Sequence, residues 1–122
     1  MRRFAGALVA VALLSVAACG GPGGTAQPSG SFKVSLSEYK FVPSTLTVPS
    51  GKVVFYLVNS GSASHDMVIR DGSGNRVQAS DLISAGDSIV FTVSNLAAGS
   101  YTFYCDQTGH EALGMKGTLT AT

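Results

Sequence analysis

Cysteine is scarce in this chain of 122 residues, which contains only Cys19 and Cys105. Cys19 directly follows an apolar N-terminal run, so a domain that begins after it keeps Cys105 alone and cannot form an internal disulfide. The N-terminal sequence, described below, indicates export. A single thiol kept in an exported domain requires a chemical reason, and metal ligation is such a reason.

The chain also lacks an excess of charge and a sustained helical period. It has eight basic and seven acidic residues, and no basic cluster that would indicate a nucleic-acid partner. Short runs rich in Val, Ile, Phe, Tyr and Thr alternate with Gly, Pro, Ser and Asn, which is typical of β-sandwiches and barrels. We therefore predict a single all-β domain, a Greek-key β-sandwich or barrel of seven to eight strands.

The predicted strands follow the apolar runs in order. The run at 52–59 is apolar on both faces and predicts a central strand, whereas Pro43 and Pro49 favour edge or turn positions for the run before it. The segment 76–86 predicts either an irregular loop or a short helical turn. The runs assigned as strands are 32–39, 41–48, 52–59, 67–69, 87–93, 101–105 and 118–122.

The N-terminal segment has the build of an export signal. Arg2 and Arg3 precede an apolar run at 4–18, which is too short for a comfortable membrane span and predicts a signal peptide over 1–18. Small residues directly before Cys19 resemble the bacterial lipobox, which predicts lipid attachment at Cys19 and a diacyl membrane anchor. The alternative is an ordinary secretory signal, with Cys19 incidental, and the choice between Sec and twin-arginine export stays open.

Gly, Pro and Ser dominate the segment that follows. Residues 19–30 contain no large apolar side chain, which predicts a lipidated cysteine with a flexible tether. The folded domain is then predicted to occupy 31–122.

Four residues form a candidate metal-ligand set. Cys105, His110 and Met115 follow one another at intervals of five residues, and His65 lies far upstream. One thiolate, two imidazoles and a weak axial thioether are the ligands of a mononuclear blue-copper site. Singly, a buried cysteine is usually inert and a methionine usually fills the core, but both histidines of the chain belong to this set. Zinc is an open alternative because Cys and two His also suit that ion.

Two blocks of sequence carry a family resemblance. The block at 59–69, NSGSASHDMVI, and the block at 99–119, GSYTFYCDQTGHEALGMKGTL, resemble the copper-binding stretches of the cupredoxins, the family of plastocyanin, azurin and auracyanin. The resemblance implies a single copper ion that cycles between Cu(I) and Cu(II), and that His65 and His110 both bind, each through one ring nitrogen. It implies Cys105 as the thiolate ligand and Met115 as the axial ligand.

The same resemblance implies further roles near the site. The solvent-facing edge of His110 is expected to pass electrons, with Ala112 and Leu113 forming an apolar docking patch. Asp66 is expected to hydrogen-bond to the cysteine loop. Asp66, Asp106 and Glu111 are three acidic residues that flank the site. We expect them either to select a partner by charge or simply to keep the protein soluble.

The resulting hypothesis is a monomeric single-electron carrier of the bacterial cell envelope. It is expected on the outer face of the cytoplasmic membrane or in the periplasm, held to the membrane by its lipid anchor. Its expected partners are redox proteins of a respiratory or photosynthetic chain.

Two alternatives come from other functional classes. The first is a copper storage or delivery protein, which the small number of Met and His residues disfavours. The second is an enzyme with Cys105 as nucleophile and His110 as base. We do not expect an enzyme, because no orienting partner is evident and Met115 would be unexplained.

Overall fold

The computed structural model describes residues 24–122. The predicted signal peptide at 1–18 and the predicted lipid-attachment residue Cys19 lie outside this range. Within it, no helix is long and apolar enough to cross a membrane. The nine strands are β1 (Phe32–Ser37), β2 (Lys40–Val42), β3 (Thr45–Val48), β4 (Gly51–Asn59), β5 (Val68–Asp71), β6 (Arg76–Ala79), β7 (Ser88–Leu96), β8 (Gly99–Tyr104) and β9 (Lys116–Ala121).

The strands form two sheets, and the all-β prediction is confirmed. The first sheet has the order β2-β1-β4-β7, and the second has the order β3-β9-β8-β5-β6. As predicted, β4 is a central strand. Alternate residues of β4 and β9 are buried, as expected for strands that turn one face to a shared core and the other to solvent. Phe41, Phe55 and Phe103 are among the buried aromatic residues of this core.

Residues 24–122 form nine strands where the sequence predicted seven or eight, and two regions account for the difference. The run at 41–48 is divided by Pro43 and Ser44, so that β2 pairs with β1 in one sheet while β3 pairs with β9 in the other. Proline has no N–H to donate to a continuous ladder, which explains the break. The segment predicted as a loop or helical turn contains β6, an exposed edge strand paired with β5.

Two strand pairs are parallel, although a Greek-key arrangement is built from antiparallel strands. β1 pairs with β4 in parallel, and β3 pairs with β9 in parallel. Both parallel pairs involve strands that are distant in sequence. Each therefore ties the N-terminal part of the domain to a later strand.

Part of the predicted tether lies against the first sheet. Thr25 N–H donates to Ser88 Oγ at 3.0 Å, and Ser88 Oγ–H donates to the Thr25 carbonyl at 3.1 Å. Gly24 forms a parallel bridge with the same serine at the start of β7. The predicted domain bounds themselves stay a prediction.

The close packing of β9 against Phe103 and Ser44 can be tested at Gly117. A Cβ atom at this position in β9 would overlap the ring of Phe103 and the carbonyl oxygen of Ser44. We expect Gly117→Ala to lower the free energy of unfolding by about 1–3 kcal/mol, the usual cost of overpacking a close-packed interior. Urea denaturation measures this change. Gly72→Ala is the matched control, since no atom lies within 4 Å of its added Cβ; equal losses in the two variants would contradict the packing argument.

Candidate metal centre

The four predicted ligands come from two loops at one end of the sandwich. His65 lies in the loop between β4 and β5, and Cys105 directly follows β8. His110 and Met115 lie in the segment that joins β8 to β9. The loop between β4 and β5 therefore meets the segment between β8 and β9, as it must if the four residues are to bind one ion.

Three donor atoms face one another across short distances. Cys105 Sγ lies 3.5 Å from His110 Nδ1 and 3.8 Å from His65 Nδ1, and the two Nδ1 atoms are 3.2 Å apart. Metal bonds of about 2.0–2.1 Å to nitrogen and about 2.3 Å to thiolate give ligand–ligand separations of this size around one ion. The three atoms thus form a triangle that a single metal ion fits.

Met115 is fully buried and is held beside the other ligands by the backbone. Cys105 N–H donates to the Met115 carbonyl at 3.1 Å, and Met115 N–H donates to the His110 carbonyl at 3.1 Å. Gly109 and Gly114 have positive φ angles of 81° and 103° in the turns between these residues. Such angles are readily available only to glycine, so these two glycines let the loop curl back on itself.

His65 is fixed by its backbone and by a buried asparagine. His65 N–H donates to the Ile83 carbonyl at 3.1 Å, and Ile83 N–H donates to the His65 carbonyl at 2.8 Å. Asn59 Nδ2 donates to the carbonyls of Ala63 and Ile83 at 2.8 Å each, and Asn59 Oδ1 accepts from Gly61 N–H at 2.9 Å. His65 and Asn59 are both 0% exposed. The imidazole therefore has little freedom to move.

The turn between β1 and β2 contacts both histidine rings, which the sequence analysis did not anticipate. Glu38 Oε1 lies 3.0 Å from His65 Nε2, and the ring of Tyr39 meets the ring of His110 edge-on with centroids 5.1 Å apart. In the sequence, both residues belong to the end of the run 32–39 that predicts a strand. An acidic residue at the end of an alternating run carries no signal that it faces a histidine 27 positions away.

The Glu38 carboxylate is also bound to the loop that carries His65. Its Oε1 accepts from Ser62 N–H at 2.9 Å and from Ala63 N–H at 2.6 Å. These donors stabilise the ionised form. The Ala63 N–H is the main cause that lowers the pKa of Glu38 to about 2, with smaller contributions from the other donors, including His65.

Asp66 joins the two ligand loops, as the family resemblance implied. Asp106 N–H donates to Asp66 Oδ1 at 2.7 Å, and Asp66 is only 8% exposed. Burial raises the pKa of the Cys105 thiol, and the charge of Asp66 adds to this effect. A metal ion that binds here must displace the thiol proton.

The other two acidic residues near the site are paired with arginines from β5 and β6. Arg76 contacts Asp106 at 3.0 Å, and Arg70 contacts Glu111. The Arg70 guanidinium also lies over the ring of Tyr104, 4.4 Å from its centroid. These pairs neutralise much of the negative charge beside the ligand loop.

The donor set fits copper on chemical grounds. Thiolate and thioether are soft ligands, imidazole suits copper, and two histidines with one cysteine form the trigonal set of electron-transfer copper sites. His65, Cys105, His110 and Met115 are positioned as ligands of a single ion.

Comparison with known proteins places the chain in a family. Residues 5–121 match the family described as Cupredoxin-like domain. The chain is 34% identical over 85 residues to chloroplastic plastocyanin of Chlamydomonas reinhardtii, covering 66% of this chain and 57% of that protein. It is 44% identical over 55 residues to azurin of Pseudomonas denitrificans, covering 43% of this chain and 42% of that protein. The chain thus spans about half the length of these relatives.

The fold is similar to that of a solved auracyanin. The dithionite-reduced auracyanin of Roseiflexus castenholzii superposes with a TM-score of 0.68 at 24% identity. The match covers 79% of this chain and 99% of the auracyanin chain. At this identity the similarity supports the fold alone.

The hydrogen bond from Asp106 N–H to Asp66, which joins the two ligand loops, can be tested in the metal-free protein. We expect Asp66→Ala to lower the free energy of unfolding by about 1.5–3 kcal/mol, the usual contribution of a hydrogen bond to a charged group. Asp66→Asn keeps an acceptor oxygen and should lose less. Urea denaturation gives the values, with the exposed Asp81→Ala as control. A loss in Asp66→Ala no larger than in Asp81→Ala would show that the loop bond is not stabilising.

Proposed function

The chain belongs to the cupredoxin-like domain family, and from this membership we propose that it is a type 1 copper protein that carries single electrons. The observation that supports the proposal most strongly is the convergence of Cys105 Sγ with the Nδ1 atoms of His65 and His110. Met115, buried beside them, is proposed as the axial ligand.

The protein's part in this function is to hold its ligands still. Bound copper supplies a one-electron couple between Cu(I) and Cu(II), which prefer different coordination geometries. Cys105, His65 and Met115 are each 1% exposed or less, and hydrogen-bonded loops support all three. Such ligands rearrange little when an electron arrives or leaves. The close-packed sandwich beneath them resists larger movements.

The partly exposed ring of His110 is the proposed point of electron entry and exit. Leu113, which is 62% exposed, lies three residues later, and Ala112 is also exposed. Exposed apolar side chains beside a redox site suit brief docking by a partner protein. We propose redox proteins of a respiratory or photosynthetic chain as these partners, and no catalytic step on a substrate.

We further propose that the protein is a monomeric lipoprotein of the cell envelope. The sequence before the described residues supports this proposal, because an apolar run ends in small residues and Cys19. A diacylated Cys19 would hold the domain on the outer face of the cytoplasmic membrane or elsewhere in the periplasm. Two acyl chains are sufficient for stable anchoring.

The copper proposal is tested by titrating the metal-free protein with Cu(II) and recording its absorption spectrum. We expect an intense thiolate-to-copper band at one equivalent, bleached by ascorbate and restored on oxidation. Cys105→Ser removes the thiolate and should abolish the band. Met115→Gln should keep the band and lower the reduction potential, because an amide oxygen is a harder ligand than a thioether.

Other outcomes would contradict the proposal. Copper binding without the band, with rapid release to a chelator, would indicate copper storage or delivery instead. Zinc binding by a protein that stays colourless with copper would exclude a blue-copper site. An unchanged potential in Met115→Gln would show that Met115 is not a ligand.

The anchor is tested by fractionating bacteria that produce the full chain. We expect the wild-type protein in the membrane fraction, with a mass that includes acyl chains on Cys19. Cys19→Ser should move the protein to the soluble fraction without that added mass, because the acyl attachment site is lost. A soluble wild-type protein with an unmodified cysteine would favour an ordinary secretory signal.

A further inference from the structure

Glu38 is the one carboxylate among the described residues that contacts a proposed ligand imidazole. It lies in the two-residue turn between β1 and β2, far in sequence from both ligand loops. Its Oε1 is 3.0 Å from Nε2 of His65, the ring nitrogen opposite the one that faces Cys105. The carboxylate and the proposed metal position therefore lie on opposite sides of the same ring.

This contact determines which nitrogen of His65 carries the proton. An ionised carboxylate has only acceptor sites, so the hydrogen bond requires a proton on Nε2. In the neutral imidazole the other nitrogen, Nδ1, then has a free lone pair. Nδ1 is the atom that lies 3.8 Å from Cys105 Sγ and 3.2 Å from His110 Nδ1.

The Glu38 carboxylate is itself held in place by backbone groups of the loop that carries His65. Besides His65, its Oε1 accepts from the backbone N–H groups of Ser62 and Ala63. Gly61 leaves the space that the carboxylate occupies, since a Cβ there would lie 2.6 Å from Oε1 and 2.8 Å from Oε2. The Glu38 side chain is 30% exposed, so part of the carboxylate still meets solvent. Three hydrogen-bond donors and the space left by Gly61 hold the carboxylate in one position, whereas an acid on a free surface has no such partners.

We propose that Glu38 is a positioning residue of the metal centre, which fixes the His65 tautomer and strengthens this imidazole as a ligand for the oxidised ion. The inference rests on the proposed copper function and deepens it. A carboxylate on the outer nitrogen of a ligand histidine orients the ring and raises its basicity. A more basic ligand stabilises Cu(II) relative to Cu(I), so Glu38 lowers the reduction potential.

Two variants separate the hydrogen bond from the charge. Glu38→Gln keeps an acceptor oxygen but removes the negative charge, and Glu38→Ala removes both. Asp106→Asn is the control, because it removes a negative charge next to Cys105 from a side chain that pairs with Arg76. The shift in this control measures what the loss of a nearby negative charge does when the hydrogen bond at His65 Nε2 is left intact.

The first measurement needs no metal. Nitrogen-15 NMR of the metal-free protein should show His65 protonated at Nε2 in the wild type and in Glu38→Gln. Glu38→Ala should show a mixture of tautomers at His65, and the neighbouring His110, whose Nδ1 lies 3.2 Å from His65 Nδ1, is recorded alongside it. A wild-type His65 protonated at Nδ1, or a single unchanged tautomer in Glu38→Ala, would overturn the proposal.

The second measurement is the reduction potential of the copper-loaded protein. Loss of an outer hydrogen-bond partner lowers metal affinity by about 10–100-fold. A tenfold loss for Cu(II) alone corresponds to a rise of about 59 mV for one electron. We expect rises of at least this size in Glu38→Ala, a smaller rise in Glu38→Gln, and in both cases more than in Asp106→Asn.

The outcomes distinguish this inference from the copper proposal. If both Glu38 variants lose stability but keep the wild-type potential and tautomer, Glu38 only caps the loop at Ser62 and Ala63, and the proposal is wrong. If the wild type fails to form the thiolate-to-copper band, the copper function fails. The metal-free NMR result then still decides whether Glu38 sets the tautomer.

Discussion

The hydrogen bond from Cys105 N–H to the Met115 carbonyl is the constraint on which the proposed centre depends. It closes the segment between β8 and β9, so that the three candidate ligands of the stretch 105–115 are brought to one end of the sandwich. Since β8 and β9 are paired along six residue positions, the closed loop begins and ends on a continuous ladder. The fourth candidate ligand, His65, is held at the same point by two backbone hydrogen bonds with Ile83, one in each direction.

The acidic residues beside the proposed centre all have partners in the fold. Asp66 crosses from one loop to the other, while Asp106 and Glu111 are paired with arginines of the neighbouring strands. The sequence alone is compatible with acids that select a partner and with acids that only aid solubility. Their pairing reduces the net charge they present beside His110, so the apolar surface around Leu113 dominates this part of the proposed docking face.

Much of the fold and the ligand set could be predicted because both rest on local patterns. A run that is apolar on both faces identifies β4, and alternating apolar residues identify β7. The spacing of Cys105, His110 and Met115 is visible within one stretch. The missed features depend on contacts between distant segments. The edge strand β6 is almost wholly exposed and has no apolar alternation to reveal it. Glu38 could not be recognised because its role depends on a parallel pairing of β1 with β4, which brings its turn beside His65.

The two-residue turn between β1 and β2 has a consequence for how this chain can vary. Glu38 contacts one histidine ring and Tyr39 contacts the other, and no further residue lies between the two strands. An inserted or deleted residue in this hairpin would displace at least one of the two contacts, since neighbouring side chains point in different directions. Length variation should therefore be tolerated at the exposed turn near Gly72, which lies away from the centre, and not in this hairpin.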